Sequence, residues 1–382
     1  MVPPWRDVRV LRIIAQIAAV LVVLAIGLVL WGNLTTSMAR SQLSFGLGFL
    51  DSVAGFEIAE SPIPYRATDT YGRALLVGLL NTLLVSLVGI VLATVLGVLV
   101  GVARLSGNWL VNRVAAGYVE VMRNTPLLVQ LVLIYAVFLQ LPGTTNSIAL
   151  PGSIFLNQRG LFVPRPEIEA ALGPWLTFVA AAIVVAVGAR IVSSRRSAAG
   201  RTTRGIGLIG LAALFVLPVV GGLVVGAPVG LELPVLERFN FVGGLALSPE
   251  FTALLVGLVV YTAAFIGEVV RGGVQAVRRG QVEAALALGL TPSQTLRLIV
   301  FPQAMRVIVP PLTSQYLNLA KNSSLAVVIG YPELFNVSRT AASQTGQPIS
   351  VIVIVMAAYL TISLGTSLLM NIYNRRVQIL EQ

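Results

Sequence analysis

The sequence predicts an all-α, polytopic membrane fold, and three observations carry that prediction. The 382 residues are 56% hydrophobic and 11% charged, and the mean hydropathy of +0.89 is far above that of a soluble domain. Eight apolar stretches are long enough, at about 17 to 25 residues each, to cross a bilayer as helices. Arginine gathers in one of the two alternating sets of connecting segments, as it does in loops retained on the cytoplasmic side.

The stretches lie near 12–32, 74–103, 118–141, 174–191, 206–226, 251–270, 304–329 and 350–371. An even number of spans puts both termini on one side. Eighteen arginines, from Arg6 and Arg104 through Arg201 and Arg271 to Arg376, fall in one set of segments. Seven fall in the other: Arg40, Arg66, Arg73, Arg159, Arg165, Arg238 and Arg339. Both termini are therefore expected in the cytoplasm. The outer segments hold most of the acids, including Asp51, Glu57, Glu60, Asp69, Glu167, Glu169, Glu232, Glu237 and Glu250.

The first stretch has two readings. Arg6 to Arg12 before an apolar run, and the small residues Ser37-Met38-Ala39 after it, resemble a cleaved signal peptide. The run from Ile13 to Trp31 exceeds a signal core, however, and is long enough to span, which favours retention. Outer segments 33–72 and 142–173 read as ordered loops. The fourth and fifth stretches flank the basic hairpin Arg190 to Arg204 and carry little polar content, so they are expected to pack against lipid.

The residue inventory excludes most chemistry. With no Cys and no His there is no disulfide, thiolate nucleophile, imidazole metal site or His-based acid–base catalysis. The single lysine, Lys321, follows Leu319-Ala320, so no G-x-x-x-x-G-K-[ST] phosphate loop exists in this chain. The net charge of +11 does not imply nucleic acid, because no basic, aromatic-interleaved soluble segment is there to bind it.

The segment between the sixth and seventh stretches is the most informative. Glu283-Ala284-Ala285-Leu286-Ala287-Leu288 are good helix formers, and Gly289 suits a left-handed helix stop. Thr291, Pro292 and Gln294 then fit an N-cap, a first helical position and the third residue of a capping box. The result is a small helix-turn-helix on the cytoplasmic face, alanine-rich on one side and shaped to enter a groove on another protein.

At these residues the chain resembles the permease subunits of ABC importers, whose signature is Glu-Ala-Ala, three residues, Gly, nine residues, Ile, one residue and Leu-Pro. Glu283, Ala284, Ala285, Gly289, Ile299 and Pro302 match it, with Phe301 in place of the usual leucine. The resemblance implies that this loop docks into an ATPase subunit. Arg123-Asn124-Thr125-Pro126-Leu127-Leu128-Val129-Gln130, Tyr261 to Glu268, Arg271-Gly272-Gly273 and Ser314 to Leu325 resemble the branch that imports polar amino acids. In the first of these, Thr125 reads as the cap of a span that starts at Pro126. The eight-span plan, the outer loop at Asn157 to Leu161 and the tail at Met370 to Asn374 are similar to permeases of the general L-amino-acid systems.

The resemblance covers essentially the whole chain and implies a type I importer permease in the bacterial inner membrane, with a core of five helices made from spans two, three, six, seven and eight. Segment 1–72 then holds the N-terminal span and an outer segment, and 73–141 the first part of the core. Segment 142–249 is an insertion with an additional helix pair, and 250–382 completes the core with the docking loop 271–303. The implied partners are two ATPase subunits, a second related permease that is a different chain, a periplasmic amino-acid-binding protein and membrane lipid. ATP and Mg belong to the ATPase; no catalytic, metal or cofactor site is expected here.

An ionisable group inside a bilayer faces the bundle interior or a path. Asn318, Lys321 and Asn322 share a helical face, extended by Ser323 and Ser324, and two readings stay open for it. The face lines the substrate path with Lys321 near a substrate carboxylate, or Lys321 is held in a network with Glu268 or snorkels outward. Glu268 likewise reads as a local ion pair with Arg271 or as part of a gate. Asn81, Thr82 and Gln130, together with Gly89, Gly97 and Gly101, read as helix-packing residues. Two other functions remain to be weighed: an ion-gradient-driven carrier, which needs no docking loop, and a purely structural assembly protein, which needs no polar face around Lys321.

Overall fold

The computed structural model describes residues 8–41, 46–198, 204–226 and 228–377, so the expected cytoplasmic residues Arg6 and Arg201 lie outside the described residues. From the N-terminus run α1 (Val8–Ser41), α2 (Tyr71–Arg104), α3 (Trp109–Asn124) and α4 (Leu127–Leu139). Strands β1 (Ile148–Leu150), β2 (Ile154–Asn157), β3 (Gly160–Val163) and β4 (Arg165–Ile168) precede α5 (Leu172–Ala198) and α6 (Arg204–Val225). Then come β5 (Val229–Glu232), β6 (Val235–Glu237), β7 (Asn240–Val242) and β8 (Leu245–Leu247). The C-terminal part holds α7 (Pro249–Gln275), α8 (Arg279–Ala287), α9 (Pro292–Thr295), α10 (Phe301–Asn322), α11 (Leu334–Thr345) and α12 (Pro348–Val377).

The protein is mostly helical. Among the described residues six helices are long and apolar enough to cross a membrane: α1, α2, α5, α6, α7 and α12. The pair α3 and α4 makes a seventh candidate. Two expected stretches differ from a plain span. Stretch 118–141 is interrupted, because α3 ends at Asn124, Thr125 is extended (ψ 131°) and α4 resumes at Leu127. Pro126 has no N–H and pushes the residue before it out of the helical region, so the expected Thr125 cap becomes a helix stop, its hydroxyl donating back to the Val121 carbonyl at 2.9 Å. Stretch 304–329 is helical to Asn322 and then tightens into 3₁₀ turns over Ser323–Val328. The polar residues of α10, Gln303, Arg306 and Gln315 together with Asn318, Lys321 and Asn322, keep it outside the apolar set.

The chain forms two compact units, 1–126 with 258–382 and 127–257. In the first, Phe49 and Ala54 of the outer segment join Tyr71, Ala74 and Leu75 of α2, Leu334, Val337 and Ala341 of α11 and Val351 of α12 in one buried cluster. Helices α2 and α7 approach at glycine positions: a Cβ on Gly97 would lie 2.5 Å from Ile266 Cγ2, and one on Gly101 2.7 Å from Val270 Cβ. Close approach of backbones is how membrane helices gain dispersion energy without a hydrophobic driving force. Gly97→Val is accordingly expected to destabilise the protein by about 1–3 kcal/mol through overpacking. A thermal midpoint of the purified variant equal to that of wild type would refute this contact.

In the second unit α5 and α6 form an antiparallel pair in which Gly210 packs on Ala186 and Ala189 and Gly221 on Phe178. The strands that flank this pair in sequence were not expected from the loop-like sequence of 142–173. They form an antiparallel sheet of order β1-β2-β3-β8 with two ribbons, β4-β5 and β6-β7. Phe241 stacks between Phe155 and Phe162, at 4.8 and 4.7 Å between ring centroids, and Arg165 pairs with its cross-strand partner Glu232 at 2.8 Å. The pairs β1-β2, β2-β3 and β6-β7 are local, whereas β3-β8 and β4-β5 join segments on either side of the helix pair, which no local pattern shows.

Candidate functional site

The loop after α7 has the local geometry its residues demand. Helix α8 stops in a Schellman arrangement: Leu290 N–H donates to the Ala285 carbonyl at 3.1 Å and Gly289 N–H to Leu286 at 2.9 Å, with Gly289 left-handed at φ +81°. Thr291 then caps α9 by accepting from Gln294 N–H at 3.3 Å, and the Gln294 side chain accepts from Thr291 N–H at 2.8 Å, closing the capping box. Five residues of π-helix, Leu296–Val300, carry the chain into α10.

These constraints present a defined surface. Glu283, Ala284 and Gly289 are exposed, whereas Ala285 is buried and turned inward, and Ile299 and Pro302 are half-buried at the root of the loop. Leu286, Leu288, Leu296, Leu298 and Phe301 are all exposed, with Leu288 83% accessible. An apolar patch of this kind, ringed by Arg278, Arg279, Arg297 and Glu283, has the composition of a protein-docking surface.

The polar face of α10 is partly committed to its own backbone. Asn318 and Lys321 are exposed and Asn322 half-buried. The Ser323 hydroxyl donates to the Ala320 carbonyl and that of Ser324 to Lys321, both at 2.8 Å, which secures the change from α to 3₁₀ geometry. Among the described residues Lys321 has no ion-pair partner. Glu268 is held elsewhere: its carboxylate accepts from Arg271 Nε at 3.0 and 3.1 Å and pairs with Arg104 at 3.5 Å. The structure thus brings Glu268 to Arg271, as one reading has it, and not to Lys321.

Comparison with known proteins decides the family. The model of the binding-protein-dependent transport system inner membrane component matches residues 93–379. The chain belongs to this family. It is 44% identical over 365 residues to the general L-amino acid transport system permease protein AapQ of Rhizobium johnstonii, covering 94% of this chain and 91% of that protein. It is 39% identical over 408 residues to the glutamate/glutamine/aspartate/asparagine transport system permease protein BztB of Rhodobacter capsulatus, covering 98% and 96%. Identity to YhdX of Escherichia coli (strain K12) is 45% over 370 residues, covering 96% and 94%.

In this inner membrane transport component one buried polar cluster escaped the sequence reading. Glu333 is wholly buried; its carboxylate accepts from Phe335 and Asn336 N–H, both at 2.8 Å, and from the Tyr359 hydroxyl at 3.0 Å. Asn81 donates to the Glu60 and Pro332 carbonyls, each at 2.9 Å, and the Thr82 hydroxyl accepts from Leu334 N–H at 3.1 Å. Asn81 and Thr82 therefore tie the start of α11 to α2, in keeping with a packing role. An acidic residue set among Tyr331-Pro332 and Leu334-Phe335 is the sequence signal that pointed to it.

Proposed function

We propose that the chain is the permease subunit of an ATP-driven importer of L-amino acids, opening alternately to the two sides of the bacterial inner membrane with both termini in the cytoplasm. The observation that carries the reading is identity of 44% along 94% of the chain to a general L-amino acid permease, where only a local match would leave the cargo open. Glu283, Ala284 and Gly289 lie on the surface that enters the ATPase, and Ala285, Ile299 and Pro302 brace it. Two ATPase subunits, each with ATP and Mg, supply the work, because this chain has no phosphate loop. A second, different permease chain completes the path and a periplasmic binding protein delivers cargo. Asn318, Lys321 and Asn322 line that path on the exposed face of α10. Ser323 and Ser324 shape its end, and Glu268 orders the arginines beside it.

An ion-gradient-driven carrier is not favoured, since the family works with binding proteins and the docking loop would have no use in it. The test is reconstitution of the co-expressed complex in liposomes with its binding protein and a panel of L-amino acids. Co-purification of an ATPase and amino-acid-stimulated ATP hydrolysis are the expected results. Uptake that follows an imposed ion gradient with no ATPase present would overturn the proposal.

A further inference from the structure

Within the first unit, an open cleft of about 500 Å³ is lined by Arg104 at the end of α2, Val119 and the exposed Glu120, Arg123 and Asn124 on α3, and Phe265 and Glu268 on α7. Its size falls within the range of small-molecule sites, about 300–1,000 Å³. Its charges are not all neutralised within the chain. Glu268 is held between Arg271 and Arg104. Arg123 lies over the Phe265 ring, 5.2 Å from the guanidinium carbon to the ring centroid, and has no carboxylate partner among the described residues. Glu120, one helical turn before Arg123, has no ion-pair partner among them either.

We infer that this cleft seats a zwitterionic α-amino acid in transit, its carboxylate on Arg123 and its ammonium on Glu120. The inference rests on the amino-acid reading above and adds to it a place and a recognition chemistry. A cation and an anion one helical turn apart on α3, with no ion pair recorded between them, offer both charges that an α-amino acid carries and leave its side chain unread. That pattern suits a carrier of many amino acids. Phe265 offers the guanidinium a cation–π contact, and a planar fork binds a carboxylate in a way that an ammonium reproduces only in part. Arg104 and Arg271, by saturating Glu268, prevent that carboxylate from capturing Arg123. The cleft lies at the ends of α2 and α7 that the arginine distribution assigns to the cytoplasm, so it would be the last station before release.

The experiment uses the complete transporter in proteoliposomes with its binding protein and reads molecules imported per ATP hydrolysed, for L-glutamine, L-leucine and a wider L-amino-acid panel. Arg123→Gln and Glu120→Gln are each expected to lower that ratio about tenfold or more, the effect of losing one charge-assisted hydrogen bond. Arg123→Lys should retain more than Arg123→Gln, and Arg113→Gln, on α3 but outside the cleft, should match wild type. Ratios equal to wild type in both Arg123→Gln and Glu120→Gln would overturn the site, as would equal losses in Arg123→Lys and Arg123→Gln. Should Arg123→Gln fail to assemble, the Arg123→Lys and Glu120→Gln complexes decide by the same ratio. If the wild type imports no L-amino acid at all, the amino-acid reading itself fails and this site goes with it; if it imports them and the variants do too, only the site fails.

Discussion

Replacing Glu283 with arginine is expected to release the ATPase from the complex and bring uptake to background. Glu283 is the sole acidic residue between Arg271 and Gln303, in a segment that also holds Arg278, Arg279 and Arg297. Its side chain is exposed on α8 and has no hydrogen bond or ion pair among the described residues, so no contact among them accounts for an acid at that position. Reversal makes the loop uniformly basic, and truncating or reversing a charge that becomes buried in an interface costs about 2–5 kcal/mol, or roughly thirtyfold to several-thousandfold in affinity. Folding should be spared, since exposed positions without partners change stability by about 0.5 kcal/mol or less. Membrane insertion and monodispersity at wild-type level, together with loss of the co-purified ATPase, is the expected pair of results. Retained ATPase and full uptake in Glu283→Arg would remove the docking role from this loop.

That prediction rests on the part of the molecule most legible in the sequence. Helix stops and starts are written in side chains that act within four residues, so Gly289 and the Thr291–Gln294 box could be placed without tertiary information. Spans are legible for a similar reason: transfer into lipid depends on summed local hydropathy, and α2, α7 and α12 stand close to their expected stretches. The glycine spacing in α2 foretold close packing, though only the structure names Ile266 and Val270 as what it packs against.

What the sequence hid depends on distant partners or on one bond. Pro126 interrupts an apolar run whose hydropathy alone reads as continuous, and the ladders β3-β8 and β4-β5 pair across an intervening helix pair. The argument that an ionisable residue within a span marks function points to Lys321; Glu120 and Arg123, at the edge of the expected stretch 118–141 where Arg123 counts with the cytoplasmic arginines, escape it. Lys321 and Glu268 were one of two open pairings for the same charges. The competing arginines, Arg271 one turn away and Arg104 on α2, are closer to the carboxylate, and proximity decides the pairing.

Glu333→Ala should cost more stability than truncating any other polar side chain in the cluster that joins α2, α11 and α12. The carboxylate serves three donors at once: two free N–H groups at the start of α11 and the Tyr359 hydroxyl of α12. Alanine removes the acceptor that all three share in this part-buried cluster. Losing the cap costs about 1 kcal/mol, and each further stranded donor about 1–3 kcal/mol, so a total near 3 kcal/mol or above is expected. Glu333→Gln keeps one carbonyl acceptor and should lose less, and Tyr359→Phe, which removes a single hydrogen bond, about 1 kcal/mol. The consequence is positional, because α11 is also tied to α2 through Asn81 and Thr82, and freeing its first turn loosens α11 from α2 and α12 together. Thermal midpoints of the purified variants should therefore fall in the order Tyr359→Phe, Glu333→Gln, Glu333→Ala. An alanine variant no less stable than Tyr359→Phe would mean that water reaches the cluster and satisfies the donors, and that Glu333 does not anchor α11.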